Sequence, residues 1–241
     1  KNTLRFLTTC SSILRENINA KIISITGSCG KTTLKEMIGL VLKKISRTSF
    51  SPKSFNNKYG VPLSLFNMKQ SDDFGVFEIG MDKKGEIDDL SKIIKPDLGL
   101  ITNISYAHSK NFKNIKQIAD AKAEIMNNIK KNGIIVLNGD DHFFHYLKGL
   151  ALKKKLKVIS FAINNKSSEI KLLSVKKTQN KYELFLNINN NKFSFYTKNN
   201  NKNNLYNILA AIACITSFVN IKKLKKGIFL NINIPKGRGN I

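Results

Sequence analysis

Long apolar runs, cysteines and arginines are all scarce in this sequence of 241 residues. No apolar stretch reaches the roughly 18 residues that would suggest a membrane-spanning helix. The N-terminal residues carry too many polar and charged side chains for a secretory signal peptide. The three cysteines, Cys10, Cys29 and Cys214, are far apart and odd in number, so they predict neither a disulfide framework nor a metal site. These absences favour a cytoplasmic protein without a membrane span.

Acidic side chains are also few, and the formal net charge at pH 7 is +25. A charge of this size can attract nucleic acid. The positive charge is almost all lysine, however, and it is spread along the chain together with many Asn and Ile residues, as in a proteome with AT-rich codons. We therefore expect small anionic substrates and no nucleic-acid partner. The hydrophobic content of 41% is that of a globular protein.

Apolar segments of strand length alternate with amphipathic segments of helix length up to residue 163. The predicted strands are 21–26, 74–81, 97–104, 133–141 and 156–163. The predicted helices are 33–45, 85–95, 114–131 and 142–155. This alternation predicts an α/β fold with a doubly wound, mainly parallel sheet of P-loop type. The polar stretch 49–65 contains two prolines and a glycine and is predicted as a loop.

The two ends of the chain differ from this pattern. Residues 1–20 are predicted as a helix or linker, and residues 21–241 as one domain. Within that domain, residues 167–198 alternate polar and apolar positions between Asn-rich turns, which predicts a small antiparallel sheet of about three strands. Residues 203–219 are predicted as a further helix.

The segment ITGSCGKTT, residues 25–33, follows a strand and precedes a helix. Glycines at 27 and 30 allow backbone N–H groups to turn inward, and the helix N-terminus adds partial positive charge. Lys31 can reach outer phosphates, and the Thr32 hydroxyl can ligate Mg²⁺. The spacing is shorter than the eight-residue P-loop pattern, so a strand–helix turn with capping residues is the alternative. Cys29 is a candidate nucleophile or a small loop filler.

The loop and nine further segments, in the same order, resemble the Mur ligase family, and within it the branch that adds D-alanyl-D-alanine. The loop resembles the family's T-G-[TS]-N-G-K-T-T, with Cys29 in place of the frequent Asn. The other segments are FNNKYGVP (55–62), EIGM (78–81), GEI (85–87), KPD (95–97), TNI with Ala107 and His108 (102–108), AKAEI (121–125), NGDD (138–141), NLYN with two alanines (204–211) and PKGR (235–238).

The resemblance covers roughly residues 21–241 and implies the central ATPase domain of such a ligase. It implies ATP-dependent formation of an amide bond between UDP-N-acetylmuramoyl-tripeptide and D-alanyl-D-alanine, through an acyl phosphate, in peptidoglycan precursor synthesis. ATP, two Mg²⁺ ions and a carbamyl group derived from CO₂ are the implied cofactors. The small-molecule substrates are the implied partners, and we expect a monomer. The family's N-terminal UDP-substrate domain and C-terminal domain are not recognised here, so we expect the chain to be a fragment or a split protein with little activity alone.

Three side chains are implied metal ligands besides Thr32. Glu78 follows a strand, where a carboxylate can hold Mg²⁺, although a helix-capping role is also open. His108 would on its residue context alone be a structural hydrogen-bonding residue, and the resemblance implies that it helps to bind the second Mg²⁺. Lys122 would ordinarily lie on a solvated helix face. The resemblance implies that it is carbamylated and then ligates Mg²⁺, which requires a lowered pKa.

The resemblance also implies contacts to nucleotide and substrate. Lys31, Glu78, His108 and Lys122 are the implied catalytic set. The implied nucleotide-binding residues are Gly27, Ser28, Cys29, Gly30, Lys31, Thr32, Thr33, Asn103, Asn207 and Arg238. Asn56 and Asn57 are implied to lie near the substrate, although Asn is also a common turn former.

Other functions stay open on the sequence. Another ligase of the same family, such as folylpolyglutamate synthase, shares the ATPase core. A nucleotide-binding module without catalytic activity would keep the loop, and a basic nucleic-acid-binding domain would show steep salt dependence without binding Mg-ATP.

Overall fold

The computed structural model describes residues 2–106 and 111–232. Its strands are β1 (Lys21–Thr26), β2 (Thr48–Phe50), β3 (Phe74–Glu78), β4 (Leu98–Ile101), β5 (Ile134–Asn138), β6 (Lys157–Ala162), β7 (Ile170–Thr178), β8 (Lys181–Ile188) and β9 (Asn191–Thr197). Its helices are α1 (Thr3–Glu16), α2 (Lys31–Lys43), α3 (Gly60–Phe66), α4 (Glu86–Ile94), α5 (Ile115–Ala123), α6 (Phe144–Lys153) and α7 (Lys202–Thr216).

All nine strands form one sheet in the order β2-β3-β1-β4-β5-β6-β7-β8-β9. Every pair from β2 to β7 is parallel, and the β7–β8 and β8–β9 pairs are antiparallel. The predicted fold class is therefore confirmed. The antiparallel strands continue the main sheet, because Phe161 of β6 pairs with Ile170 of β7.

Helices cover both faces of the parallel part of the sheet. Side chains of α2 and α7 pack in one apolar cluster, and side chains of α3, α4, α5 and α6 pack in a second. Successive side chains of β1 point to opposite faces of the sheet, so Ile23 and Ile25 belong to the first cluster and Ile22 to the second. A sheet buried on both faces needs continuous apolar strands, which explains the apolar runs of the sequence.

Helix α1 is attached to the body of the fold through a buried arginine. The Arg15 guanidinium donates to the carbonyls of Ile94 (2.6 Å), Ile18 (2.8 Å) and Lys95 (3.1 Å) and lies 3.6 Å from a carboxylate oxygen of Asp97. Burial lowers the pKa of Arg15, and the attraction of Asp97 opposes that shift. The helix predicted within 1–20 is present, and the domain boundary at residue 20 stays a prediction.

The loop predicted over 49–65 is wrong in part, because it contains the end of β2 and most of α3. The structure tolerates Pro62 as the third residue of α3, where a helix needs no backbone N–H donor. Asn57 Oδ1 accepts the N–H groups of Tyr59 and Gly60 at the start of this helix. The segment thus satisfies its backbone locally despite its proline.

The helix predicted over 114–131 is shorter than expected. α5 ends at Ala123, and a 3₁₀ turn follows over Glu124–Asn127. The Glu124 carboxylate accepts the N–H of Gly85, at the start of α4, at 2.9 and 3.0 Å. This contact links two of the segments that carry the family resemblance.

Within residues 2–106 and 111–232, no helix is both long enough and apolar enough to cross a bilayer.

Candidate functional site

The predicted site residues follow three neighbouring strands of the sheet, β3, β1 and β4. β1 lies between β3 and β4. The chain passes to one side of β1 to form β2 and β3, and then crosses to the other side to form β4. In open parallel sheets, ligands bind outside the carboxyl ends of the strands at such a switch point. The predicted residues of the loop after β1, the end of β3 and the segment after β4 are therefore neighbours in space.

The loop after β1 contains two glycines with positive φ directly before the N-terminus of α2. Gly27 has a φ of 146°, and a Cβ there would lie 1.8 Å from Thr102 Oγ1. Gly30, with a φ of 79°, caps α2, and no side chain among the described residues caps this helix. The N–H groups of the first turn, including those of Lys31, Thr32 and Thr33, thus remain available for an anion.

The residues after β4 hold the loop in place. The Ser28 N–H donates to the Asn103 carbonyl at 3.0 Å, and the Cys29 N–H donates to Asn103 Oδ1 at 2.9 Å. Thr102 Oγ1 donates to the Cys29 carbonyl at 2.7 Å. Asn103 therefore lies at the loop as predicted, with its side chain engaged in fixing the loop backbone.

Lys31 spans the loop from the first position of α2. Its ammonium group donates to the carbonyl of Gly27 at 2.8 Å and to that of Ser28 at 3.5 Å. Burial lowers the pKa of Lys31, while the negative charge of Glu78 opposes the shift. This lysine is placed where its charge faces the inside of the loop.

Glu78 is the buried carboxylate of the site, with an exposed fraction of 1%. Alternation along β3 places it on the same face as Phe74 and Val76, toward α2. Thr32 Oγ1 donates to Glu78 Oε2 at 2.7 Å, and Asn56 Nδ2 donates to Glu78 Oε1 at 2.7 Å. A hydroxyl and a carboxylate oxygen side by side are ligands that suit Mg²⁺. The donor set therefore fits the predicted metal.

Lys122 lies on α5, on the opposite helix layer from α2, and is 1% exposed. Its pKa is lowered to about 7, chiefly by burial and also by the positive charge of Lys31, while Cys29 opposes the shift. Among the described residues, no carboxylate forms an ion pair with it. Lys122 is therefore buried and does not lie on the solvated helix face that its sequence context suggests.

Helix α7 brings Asn207 to the loop. Its Oδ1 lies 3.6 Å from the position that a Cβ on Gly30 would occupy. The preceding residue, Tyr206, donates its hydroxyl to Asp140 at 2.9 Å. Asp140 also accepts the N–H groups of residues 163–165. Burial alone would raise the pKa of Asp140. The hydrogen bonds from these donors stabilise the ionised carboxylate by more than burial disfavours it, so the pKa lies below its ordinary value.

Two predicted residues, His108 and Arg238, lie outside the described residues, as do Ala107 and the PKGR segment. Of the predicted substrate pair, Asn56 contacts Glu78, whereas the Asn57 side chain is used at the start of α3. The structure thus brings the loop, Asn56, Glu78, Asn103, Lys122 and Asn207 to one region. Their functional roles stay predictions.

Sequence reasoning did not single out four side chains that shape this region. Thr102 contacts the loop backbone, Ser51 Oγ accepts the Glu78 N–H at 3.3 Å, and Ser54 Oγ lies 3.5 Å from Thr32 Oγ1. Lys35 is fully buried on α2. Of these four, only Thr102 could have been found from the sequence, because it directly follows an apolar run and precedes the candidate residue Asn103.

Comparison with known proteins identifies relatives of this arrangement. The family model described as the Mur ligase middle domain matches residues 25–215. UDP-N-acetylmuramoyl-tripeptide–D-alanyl-D-alanine ligase of Rickettsia prowazekii (strain Madrid E) is 34% identical over 233 residues, which are 94% of this chain and 51% of that protein. The chain spans between 32% and 51% of the length of the Buchnera aphidicola and Rickettsia prowazekii relatives that it matches.

Solved structures agree with this comparison. A crystal structure of MurF from Acinetobacter baumannii has a TM-score of 0.84 and 28% identity, covering 92% of this chain and 48% of that one. A MurF ligase from Thermotoga maritima, solved in complex with ADP, has a TM-score of 0.81, covering 90% of this chain and 50% of that one. Its identity is 24%, so it shows the fold alone.

We predict that Gly27→Ala distorts the loop, because the new Cβ would overlap Thr102 Oγ1. The overlap should lower the free energy of unfolding by about 1–3 kcal/mol, measured by urea denaturation. Gly149→Ala is the matched control, since a Cβ there meets nothing within 4 Å and alanine is favoured in a helix interior. Equal effects of the two substitutions would contradict the proposed close approach.

We predict that the burial of Lys122 makes stability depend on pH. The folded-state pKa of about 7 lies below the ordinary value of 10.5, so between these values the unfolded chain binds more protons and stability rises with pH. Lys122→Met should therefore be more stable than the unsubstituted chain below pH 7, with the difference shrinking toward pH 10.5. Urea denaturation across this range measures it, with the exposed Lys116→Met on the same helix as control. A difference independent of pH would refute the prediction.

Proposed function

The chain belongs to the Mur ligase family, and on that premise we propose that it is the ATP-binding middle domain of a ligase. The proposed reaction joins D-alanyl-D-alanine to UDP-N-acetylmuramoyl-tripeptide through an amide bond. Support for the substrates comes from the curated relatives, which are named for them. The observation that carries the proposal is the contact of Thr32 with Glu78 beside the N-terminus of α2, which no described side chain caps.

The triphosphate of ATP would lie against the loop of residues 27–30 and the first turn of α2. Backbone N–H groups at this helix end favour negative charge, and Gly27 and Gly30 let the backbone approach the phosphates closely. The Lys31 ammonium group already lies inside the loop, so a small side-chain movement would exchange the Gly27 carbonyl for a phosphate oxygen. Asn207, beside Gly30, is proposed to contact the adenine.

Thr32 and Glu78 are proposed to hold one Mg²⁺ ion through their oxygens. When bound, Mg²⁺ would neutralise charge on the phosphates and on the transferring group. Asn56 fixes the second carboxylate oxygen of Glu78, which leaves Oε2 directed at the Thr32 hydroxyl. We propose His108 as a further metal ligand and Arg238 as a phosphate contact on the family resemblance alone.

The proposed reaction has two steps. A carboxylate of the tripeptide attacks the γ-phosphorus of ATP, so that a C–O–P bond forms and ADP leaves. The amine of D-alanyl-D-alanine then attacks the carbonyl carbon, so that the amide forms and inorganic phosphate leaves. Lys31 and the loop N–H groups would stabilise the charge on the transferred phosphoryl group. Asn56 and Asn57 are proposed to lie toward the tripeptide, and we place the reaction in the cytoplasm.

Lys122 is proposed to react with CO₂ and to act as a carboxylate. Carbamylation needs a neutral amine, and the lowered pKa means that a large fraction of Lys122 is neutral near pH 7. The product is an N-carboxylate, which is a suitable oxygen ligand for a second Mg²⁺ ion. It would also remove the unfavourable proximity of two positive charges at Lys31 and Lys122.

We predict that the chain binds ATP more tightly in the presence of Mg²⁺ and that Glu78→Gln removes this dependence. The substitution keeps the shape and removes the charge, so the apparent Mg²⁺ affinity should fall at least about 10-fold, the lower end of the loss seen when partners of metal ligands are changed. Isothermal titration calorimetry measures it, with the exposed Asp89→Asn as control. Unchanged binding by Glu78→Gln would overturn the metal assignment.

The substrates are tested separately in the full-length gene product. ADP release should require both UDP-N-acetylmuramoyl-tripeptide and D-alanyl-D-alanine. Release driven equally well by a folate and glutamate would replace this assignment with that of a folylpolyglutamate synthase. Steep salt-dependent DNA binding without Mg-ATP binding would instead favour a nucleic-acid-binding domain.

For Lys122, we predict a carbamate signal in the NMR spectrum of the chain incubated with isotopically labelled bicarbonate. The signal should disappear in Lys122→Met and persist in the exposed Lys116→Met, since Lys122 combines burial with a lowered pKa, whereas the Lys116 side chain faces solvent. An identical signal in both variants would assign the carbamate to another amine.

A further inference from the structure

The segment of residues 51–57 lies across the end of β3 and contacts Glu78 from two sides. Ser51 Oγ accepts the Glu78 N–H at 3.3 Å, and Asn56 Nδ2 donates to Glu78 Oε1 at 2.7 Å. The Asn56 carbonyl accepts the Gly80 N–H at 2.8 Å. The orientation of the Glu78 carboxylate therefore depends on where this segment lies.

A fully buried lysine holds the segment. Lys35 lies one turn beyond Thr32 on α2 and is 0% exposed. Its Nζ donates to the Ser51 carbonyl at 2.6 Å, to the Lys53 carbonyl at 2.7 Å and to Glu36 Oε1 at 2.6 Å. An ammonium group has three N–H donors, and these three acceptors satisfy all of them. Two of the three acceptors are backbone atoms of the segment.

The backbone of the segment is not in a relaxed conformation. Lys53 has a φ of 46°, a left-handed conformation that is unfavourable for residues with a Cβ. Backbone strain of this kind persists where surrounding contacts determine the conformation, and it is frequent at functional sites. Here the contact is the hydrogen bond from Lys35 to the Lys53 carbonyl.

Burial of the ammonium group is itself costly unless it is paired and fully bonded. Glu36 supplies the paired charge, and the carbonyls of Ser51 and Lys53 supply the remaining acceptors. An apolar side chain would fill the same space at lower cost, so packing alone does not account for a lysine at this position. Unlike an apolar side chain, the lysine holds the segment at a fixed distance from α2 through its hydrogen bonds to the Ser51 and Lys53 carbonyls.

We propose that Lys35 is a positioning residue for the magnesium site, acting through the 51–57 segment on Glu78. Helix α2 then determines both sides of the carboxylate: Thr32 contacts Oε2 directly, and Lys35 sets the position of Asn56, which contacts Oε1. This inference rests on the proposed function, because it assumes that Glu78 and Thr32 hold Mg²⁺.

The test is Lys35→Met in the full chain, with ATP binding measured by calorimetry over a range of Mg²⁺ concentrations. The apparent Mg²⁺ affinity should fall about 10-fold or more, as for other residues that orient metal ligands. ATP binding in the presence of a chelator should stay the same. Lys43→Met, exposed on the same helix, should bind as the unsubstituted chain does.

A second measurement needs no metal. Amide hydrogen exchange at Gly80, whose N–H donates to the Asn56 carbonyl, should be faster in Lys35→Met than in Lys43→Met. If Lys35→Met does not fold, Lys35→Gln takes its place. Its amide keeps a neutral N–H donor for the segment carbonyls but is one bond shorter than lysine, so it should give a loss of Mg²⁺ affinity in the same direction that does not exceed the loss expected for Lys35→Met.

A double substitution tests whether Lys35 acts through Asn56. Lys35→Met and Asn56→Ala together should lower the Mg²⁺ affinity little more than the stronger single change, because both remove one chain of contacts. Additive losses, or unchanged Mg²⁺ dependence in Lys35→Met, would overturn the positioning role. Absence of Mg²⁺-dependent ATP binding in the unsubstituted chain would instead reject the proposed function.

Discussion

The hydrogen bond from Thr32 to Glu78 is the contact on which the arrangement of the site depends. A carboxylate buried to this extent is unfavourable unless polar groups surround it, and its two oxygens are bonded by different elements, Thr32 of α2 and Asn56 of the 51–57 segment. The end of β3, the start of α2 and the segment therefore form one unit. A shift of any of them leaves a buried oxygen without a partner.

The fold could be predicted from the sequence wherever hydrophobic periodicity was strong. Apolar runs such as 21–26 become strands buried on both faces, because helices cover both sides of the sheet. Prediction was wrong in part over 49–65, where Pro62 indicated a loop although proline is compatible with the first turn of a helix. The 3₁₀ turn after Ala123 was not predicted either, because residues 114–131 keep apolar residues at helical spacing and the contact of Glu124 with the distant Gly85 is not visible in the local sequence.

The site was predictable to the extent that its chemistry is local in sequence. Glycines, a lysine and threonines between a strand and a helix indicate a phosphate loop, and the structure has the backbone geometry that this requires. The burial of Lys35 and Lys122 was not predictable from their own residue context, because both follow a helical pattern in which lysine usually faces solvent. Only the packing of α2 against the 51–57 segment, and of α5 near the loop, gives these lysines their properties.

The position of β1 in the sheet also has a consequence for the order in which the protein assembles. Lys21 pairs with Phe74 and Ile23 with Leu98, whereas β7 pairs with β8 and β8 with β9, each with the next strand along the chain. Pairing of distant segments is entropically costlier and slower than hairpin formation. During synthesis, the ribosome releases the glycine loop long before the segment after β4 whose Asn103 anchors it, so the loop can be anchored only late in synthesis.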